Sequence, residues 1–438
     1  MSELKKILNN TAGIDIGSEK VFVAVEGKPV RNFRTFTSSY NELGMYLKES
    51  GVKHVAMEAT GIYWCTLYDI LEQAKFDVCL VNPSDTKNFP GRKTDVQDCQ
   101  WIQTLYSYGL LKKSFVPEDI VRKLRVFTRM REDKIQMGAS HINHMQKALI
   151  QMNIRLPEVL SQTHGASGIA MIKAILCGQR DPHVLLSFCT SDLIKRKGKD
   201  ILLALEGNYK AEYLFELQQA YDGYMFYINQ VKLCDIETEK ILQEFYQKSN
   251  TSFTDDRKPK SIRHNKPEIN NLHSMLLGIH GANPTILPGL TDYSLMRLTA
   301  ELGNNINQWP DVKSFVSWLG LAPGKNQSGK MNKRSKKRAI TRGGQIFKQA
   351  AQSLLASSKL GLGVFAKKLK ARRGAGIAIK ATARKIAELY YNLLKNGLSY
   401  VETGIEFYEQ KQKEQQLKYL TRKAHELNLQ LVCNQSNK

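Results

Sequence analysis

What this sequence has little of narrows the possibilities first. Its seven cysteines (Cys65, Cys79, Cys99, Cys177, Cys189, Cys234 and Cys433) are scattered, odd in number and never in a C-x-x-C pair. That argues against both a zinc ribbon and a disulfide framework and fits a reducing compartment. No apolar run approaches the ~20 residues that cross a bilayer, and the opening "MSELKKILNN" has no signal-peptide core. The chain therefore reads as cytosolic, without a membrane partner. Acidic residues are absent from Val312 to Ala387, a stretch of 76 residues with 19 Lys or Arg. A charge run is usually a solvated face, but so long a stretch without one carboxylate fits that reading poorly. A polyanionic partner, nucleic acid, fits it well.

The chain is long enough, at 438 residues, for two or three domains, and its 42% hydrophobic content is that of globular protein. Lys plus Arg number 64 against 41 acids, a net charge of +23. Residues 11 to 38 read as three short strands, "AGIDIG", "KVFVAVEG" and "RNFRTFTS", the first two joined by so few turn residues that they must be antiparallel. A helix "SYNELGMYLKES" follows, with Ser39 and Glu42 at capping-box spacing. Then come strand "KHVAMEA", helix "YWCTLYDILEQAK", strand "DVCLVNP" and a helix from about Asp95 to Leu111. Hairpins followed by alternating strand and helix predict an α/β domain, a mixed sheet with helices on its faces, over residues 1–113. Residues 114–262 read as an all-α middle, two long helices in an antiparallel, coiled-coil-like pair ending in a polar linker, "QKSNTSFTDDRKPKSIRHNKPE". Residues 263–438 read as a mainly helical, basic C-terminal domain.

Four carboxylates stand out. Asp15 lies within an apolar strand, where an acid is costly unless compensated, and Glu58 closes another. Asp95 and Asp98, in "GRKTDVQD", are spaced to point from one helix face. Strand ends in such a sheet converge on one edge, and four acids gathered there repel one another unless divalent cations neutralise them. Oxygen ligands without histidine select Mg2+, with Mn2+ a substitute, and two such ions can clamp an in-line displacement at phosphorus. The bland alternative for "KTDVQD" is a helix N-terminus, with Thr94 as cap and the acids facing the helix dipole.

These residues carry a resemblance. "GIDIGSEK", "MEATGIYW" and "GRKTDVQDCQWIQTL" resemble the DEDD motifs of a family of insertion-sequence transposases whose N-terminal domain is similar to the RuvC Holliday-junction resolvase, a ribonuclease-H-like fold. "SFVPEDIVRKLRVFTRMRE", "HGASGIAMIKAILCGQRDP" and "AELGNNINQWPDVKSFVSWLGLAPGKNQSGK" resemble later segments of the same family, in its subgroup with a long helical middle. The likeness covers most of residues 11–430 and implies that Asp15, Glu58, Asp95 and Asp98 are the catalytic, metal-holding acids. Cys99 stands where alanine is usual.

A second reactive group is suggested by "PGKNQSGKMNKRSKKR". Ser328 follows a Pro-Gly turn among Lys325, Lys330, Lys333 and Arg334, and with Lys336, Lys337, Arg338 and Arg342 these cations can grip nucleic-acid backbone. Cations also offset the charge that builds on a phosphodiester under attack. From the residues alone, a loop serine beside lysines is more often a phosphate contact. The resemblance implies more: Ser328 as the nucleophile, a covalent phosphoserine link resolved by a free 3′ hydroxyl, and a structured guide RNA, the bridge RNA, pairing with donor and target DNA. It also implies a dimer or tetramer and a prokaryotic setting at the nucleoid. In related sequences the loop often reads Ser-Ala-Gly-Lys, one residue longer than here.

Other motifs read as structure. His141 and His144 have no acid at ligand spacing and read as packing or surface residues. Tyr63 and Trp64 can stack on a base, but core packing is the plainer role. "ILPGLTDYSLMRLTAELG" fits a helix-turn-helix touching DNA backbone about as well as a structural hairpin. Two rival functions share these residues. One is a RuvC-like nuclease using activated water; the other is a nucleic-acid-binding protein in which the acids serve structure.

Overall fold

The computed structural model describes residues 5–86, 94–249, 251, 253–323, 326–328, 331–333, 339–356, 361–399, 410, 414 and 417–429, with backbone alone at 84, 85, 326–328 and 331–333. The chain divides into two units, Met1–Val116 and Pro117–Lys438.

The first unit is built on a mixed sheet. Its strands are β1 (Thr11–Ile16), β2 (Lys20–Val25), β3 (Arg31–Arg34), β4 (His54–Glu58) and β5 (Asp77–Val81), in the order β3-β2-β1-β4-β5. β1, β2 and β3 pair antiparallel, whereas β4 and β5 run parallel to β1. The parallel strands need crossovers, which α1 (Thr37–Glu49) and α2 (Trp64–Gln73) supply. Short α3 (Pro83–Thr86) and α4 (Asp95–Ser107) complete the unit. This is the ribonuclease-H-like α/β domain that the strand pattern predicts.

Strand alternation sorts side chains into two layers. Ile14, Val55, Met57, Val78 and Leu80 join Leu43 and Leu47 of α1 and Leu67 and Leu71 of α2 in one core. On the opposite face Ala56, Cys79 and Val81 pack against Ile102 and Tyr106 of α4. Each fully buried aliphatic chain in these layers contributes roughly 1.5–3 kcal/mol.

One local expectation fails. α1 begins at Thr37, capped by the backbone of Phe36 without any side-chain cap bond, so Ser39 lies inside the first turn and makes no capping box. The reason lies upstream: the Thr35 hydroxyl donates to the Ser18 carbonyl at 3.1 Å and its amide to the Glu19 carbonyl at 3.3 Å. Those bonds end β3 early and turn the chain at Phe36.

In the second unit α5 (Asp119–Gln151) and α10 (Ala211–Ser249) form the expected long pair. α6 (Leu156–Val159), α7 (Ala166–Leu176), α8 (Pro182–Leu186) and α9 (Ser191–Ala204) cap one end around a core that includes Leu149, Met152, Ile172 and Ile201. The pair is pinned by a buried ion pair in which Arg131 Nε donates to Asp235 Oδ1 at 2.5 Å. Asp235 Oδ2 also accepts the Glu268 amide at 3.1 Å, Arg131 donates to the Asn265 carbonyl at 3.1 Å, and Lys260 donates to the Leu287 carbonyl at 2.7 Å. The polar segment read as a linker is thus laid down on its neighbours, because its charged and backbone groups complete the buried pair.

Beyond it come α11 (Leu272–His280), α12 (Asp292–Leu302), α13 (Val312–Trp318), α14 (Arg342–Leu354), α15 (Gly361–Arg373) and α16 (Ala375–Asn396). Phe315, Phe347, Tyr390 and Tyr391 are buried at their centre. The "ILPGLTDYSLMRLTAELG" hairpin serves structure. A Cβ on Gly289 would lie 2.6 Å from the Ala350 carbonyl of α14, Thr291 caps α12, and buried Asp292 bonds His273 at 2.7 Å. A two-stranded ribbon not foreseen from the sequence, β6 (Asn326–Ser328) with β7 (Met331–Lys333), lies between α13 and α14.

Candidate active site

The acids share one end of the sheet because of which residues face α4. In β1, Ala12, Ile14 and Ile16 belong to the layer with α1 and α2, so Thr11, Gly13 and Asp15 face the other way. Thr11 accepts a hydrogen bond from Gln103 of α4 at 2.8 Å. Gly13 lets the helix come close, since a Cβ there would fall inside van der Waals distance of the Cys99 carbonyl and the Gln103 amide. Asp15 is the next residue on that face. β4 alternates likewise: Val55 and Met57 face one layer, Ala56 the other, so Glu58 shares the side of Asp15. Ile14 pairs with Met57, which sets Asp15 and Glu58 one step further along neighbouring parallel strands, about 4.8 Å apart.

α4 supplies the remaining two. Cys99 and Ile102 are fully buried on its sheet side; counting back four residues from each gives Asp95 and Asp98, so both acids extend that stripe to the helix start. Thr94 caps the helix, accepting the Gln97 amide at 3.3 Å. The plain reading of "KTDVQD" as a helix start is thus what the structure shows, and that start sets both acids on the sheet side of α4.

The electrostatics agree. Burial, and then the charges of Glu58, Asp95 and Asp98, push the Asp15 carboxyl up to about 6. Cys99, buried beside Asp15, has its thiol pushed up to about 12 by that burial first, so it stays protonated and serves as packing. Glu58 is only 8% exposed, and its Oε2 accepts a hydrogen bond from the Thr86 hydroxyl at 2.7 Å. Thr86 is the site residue that sequence reasoning misses. It sits in a short turn of helix with no periodic pattern, and only the fold shows its hydroxyl under Glu58.

The four acids lie within electrostatic reach of one another, but among the described residues no group of three or more His, Cys, Asp or Glu side chains is gathered tightly enough to hold a metal ion. Carboxylates without a counter-cation keep apart. The donor set nevertheless suits a hard divalent ion: all oxygen, no histidine, and one carboxyl raised by burial and then by the charge of the others.

The second unit contains the other sequence-predicted group. The backbone of Ser328 ends β6 and pairs with Met331. The ends of its loop are drawn together where the Thr341 amide donates to the Leu319 carbonyl at 3.3 Å. Lys333 ends β7, whereas Lys325, Lys330, Arg334, Lys336, Lys337 and Arg338 lie outside the described residues. Arg342, half exposed, begins α14 and stands 3.7 Å from Glu132. His141 packs against Tyr227 with ring centroids 5.4 Å apart and the rings tilted, which is the packing role expected of it.

A mixed five-stranded sheet with helices on both faces and acids at the ends of β1 and β4 and the start of α4 is the architecture of a ribonuclease-H-like domain. The comparisons with known families agree. Residues 12–154 match a transposase model, that of the DEDD transposases of IS110 type, and residues 285–360 match the model of the transposase IS116/IS110/IS902 family. The matched segments together make up half of the chain. The chain belongs to the IS110 family of DEDD transposases, enzymes that cut and rejoin DNA. A search of the curated proteins finds no match. Among the described residues no helix is long and apolar enough to cross a membrane.

Proposed function

We propose that the protein recombines DNA through two cooperating groups, the carboxylates Asp15, Glu58, Asp95 and Asp98 and the hydroxyl of Ser328. The observation that carries the first is the placement of Asp15 and Glu58 at the ends of neighbouring strands beside the acidic start of α4, where burial and then the charges of the other three acids push the Asp15 carboxyl up to about 6. The family resemblance of the "NQSGK" loop supports the second. The four acids would hold Mg2+, or Mn2+ in its place, which when bound supplies positive charge to the transferring phosphoryl group. Thr86 fixes the Glu58 carboxylate for that task.

Ser328 Oγ attacks phosphorus; the Oγ–P bond forms, the P–O3′ bond breaks, the hydroxyl proton is lost to water and the departing 3′ oxygen gains one. A 3′ hydroxyl of a second strand then attacks the phosphoserine and frees Ser328, so the number of phosphodiester bonds is unchanged. The cations Lys325, Lys330, Lys333, Arg334, Lys336, Lys337, Arg338 and Arg342 grip the backbone at the attacked phosphate. A structured bridge RNA, encoded beside the gene, selects donor and target by base pairing and leaves the protein to read charge and shape. The protomers work as a dimer or tetramer in a prokaryotic cytoplasm, with residues 1–113 carrying the acids, 114–262 the helical middle and 263–438 the serine.

The test is a denaturing gel of labelled donor DNA with protein and the RNA copied from its flanking element. Wild type should give a covalent protein–DNA band that depends on a divalent cation, and Ser328→Ala none. Strand cleavage by Ser328→Ala without an adduct would establish attack by water instead.

A further inference from the structure

The edge of the sheet that carries the acids also carries exposed aromatic side chains. β1, β4 and β5 end there, β2 begins there, and β3 ends there because Lys20 pairs with Arg34. Two residues beyond Arg34 comes Phe36, 55% exposed and beneath the Arg34 guanidinium at 4.5 Å from its ring centroid. Four and five residues beyond Glu58 come Ile62 and Tyr63, 80% and 49% exposed. Trp64, next in sequence, packs on the core and meets Tyr68 edge-on, so the packing role that suits Trp64 does not extend to its neighbours.

Phe36 occupies a position that chemistry would assign to another residue. It is the N-cap of α1, which has no side-chain cap bond. Ser, Thr, Asp or Asn at an N-cap contributes about 0.5–2 kcal/mol over a residue that cannot accept from the helix amides. α1 forgoes that stabilisation and presents a ring to solvent, while Tyr63 lies in the turn that leads into α2, its amide donating to the Thr60 carbonyl at 3.2 Å. The Phe36 segment is fixed to the turn that follows Asp15, through the bonds of Thr35 to Ser18 and Glu19. Gly61 at φ 54° turns the chain after Glu58, and the Tyr63 ring lies against it. Phe36 follows β3 and Ile62–Tyr63 follow β4, strands about 14 Å apart as three spacings, a width of a few nucleotides. Lys20 and Arg34, paired across β2 and β3, add positive charge to the same edge.

We propose that this edge is a track for an unpaired DNA strand, whose bases stack on Phe36 and on Ile62–Tyr63 to either side of the phosphate to be cut. Because α1 and α2 pack on one face of the sheet and α4 on the other, bases lie toward the first face and the cleaved phosphate toward the acids on the second. The inference rests on the reading of Asp15, Glu58, Asp95 and Asp98 as the cutting centre. Aromatic stacking tolerates any base, so the track holds the strand and leaves sequence choice elsewhere.

The experiment uses the full chain in chelator, where no cleavage occurs, and a thymine single strand of about a dozen nucleotides, within the usual site size for such strands, carrying one 5-iodouracil. Irradiation should crosslink the peptides containing Phe36 and Tyr63, a duplex of the same length should not, and Tyr63→Phe should retain the crosslink. Phe36→Ala with Tyr63→Ala should abolish those crosslinks and weaken single-strand binding roughly ten-fold or more. Crosslinks confined to other segments, or unchanged affinity in the double variant, would overturn the proposal. Asp15→Asn separates the two readings. Intact DNA cutting by that variant removes the acid centre, whereas crosslinks in it at Phe36 and Tyr63 still support the track.

Discussion

Asp15 is held against its preference for ionisation. Its carboxyl, held up at about 6 by burial and three neighbouring acids, ionises less readily in the folded chain than in the unfolded one. A group with a raised folded pKa favours the folded state below its unfolded value, near 4, and loses that contribution as pH rises through about 6. Cation-free protein should therefore gain stability as pH falls from 6 toward 4, apart from other titrations. Asp15→Asn removes the effect. Thermal melts in chelator at neutral pH should show this variant about 1–2 kcal/mol more stable than wild type, a discount on the full shift because the group is partly exposed, while DNA cutting is lost. Thr86→Ala should leave the fold nearly intact but weaken cation dependence, and Thr86→Ser should restore it, as read by the metal concentration for half-maximal cutting. Asp15 was legible because an acid inside "GIDIG" has no apolar excuse. Thr86 was not, since a threonine between two loops looks like any other until the chain folds its hydroxyl against Glu58.

At the scale of elements, the site depends on how closely α4 approaches β1. Gly13→Ala would set a methyl against the backbone of Cys99 and Gln103, where nothing flexible can give way. Overpacking of this kind costs about 1–3 kcal/mol or more, and α4 must move off the strand, taking Asp95 and Asp98 with it. The expected outcome is a lower denaturation midpoint together with loss of cutting, whereas Gly51→Ala, in open space, pays only its backbone strain and keeps activity. The order of strands and helices in the first unit was readable from alternation and spacing. The start of α1 was not, because the bonds that fix it come from the β1–β2 turn, 17 and 16 residues away in sequence. Polarity alone likewise made 247–268 look like a linker, although a buried charge pair of α5 and α10 holds it. In α11, burial lowers His280 to about 4. The unfolded histidine takes up its proton near 6.5, so this group destabilises the fold as pH falls from 6.5 to 4, and His280→Gln should flatten that part of the stability profile.

Over the whole molecule, charge is distributed by task. The four acids proposed to react lie at one sheet edge of the first unit, whereas Val312 to Ala387 holds 19 cations and no acid. Affinity for nucleic acid should therefore fall steeply with salt, the slope counting phosphate contacts. Replacing Lys336, Lys337 and Arg338 by alanine should reduce that slope by about two to three without changing the melting behaviour of the first unit. The most direct measurement is of the acids acting together as one cation centre: Mn2+ binding by electron paramagnetic resonance on the full chain with donor DNA, for wild type, Asp15→Asn, Glu58→Gln and Asp98→Asn. Each substitution should weaken Mn2+ binding at least ten-fold and abolish DNA cutting in parallel. Wild-type Mn2+ affinity in all three variants, or cutting that survives any of them, would contradict a shared centre.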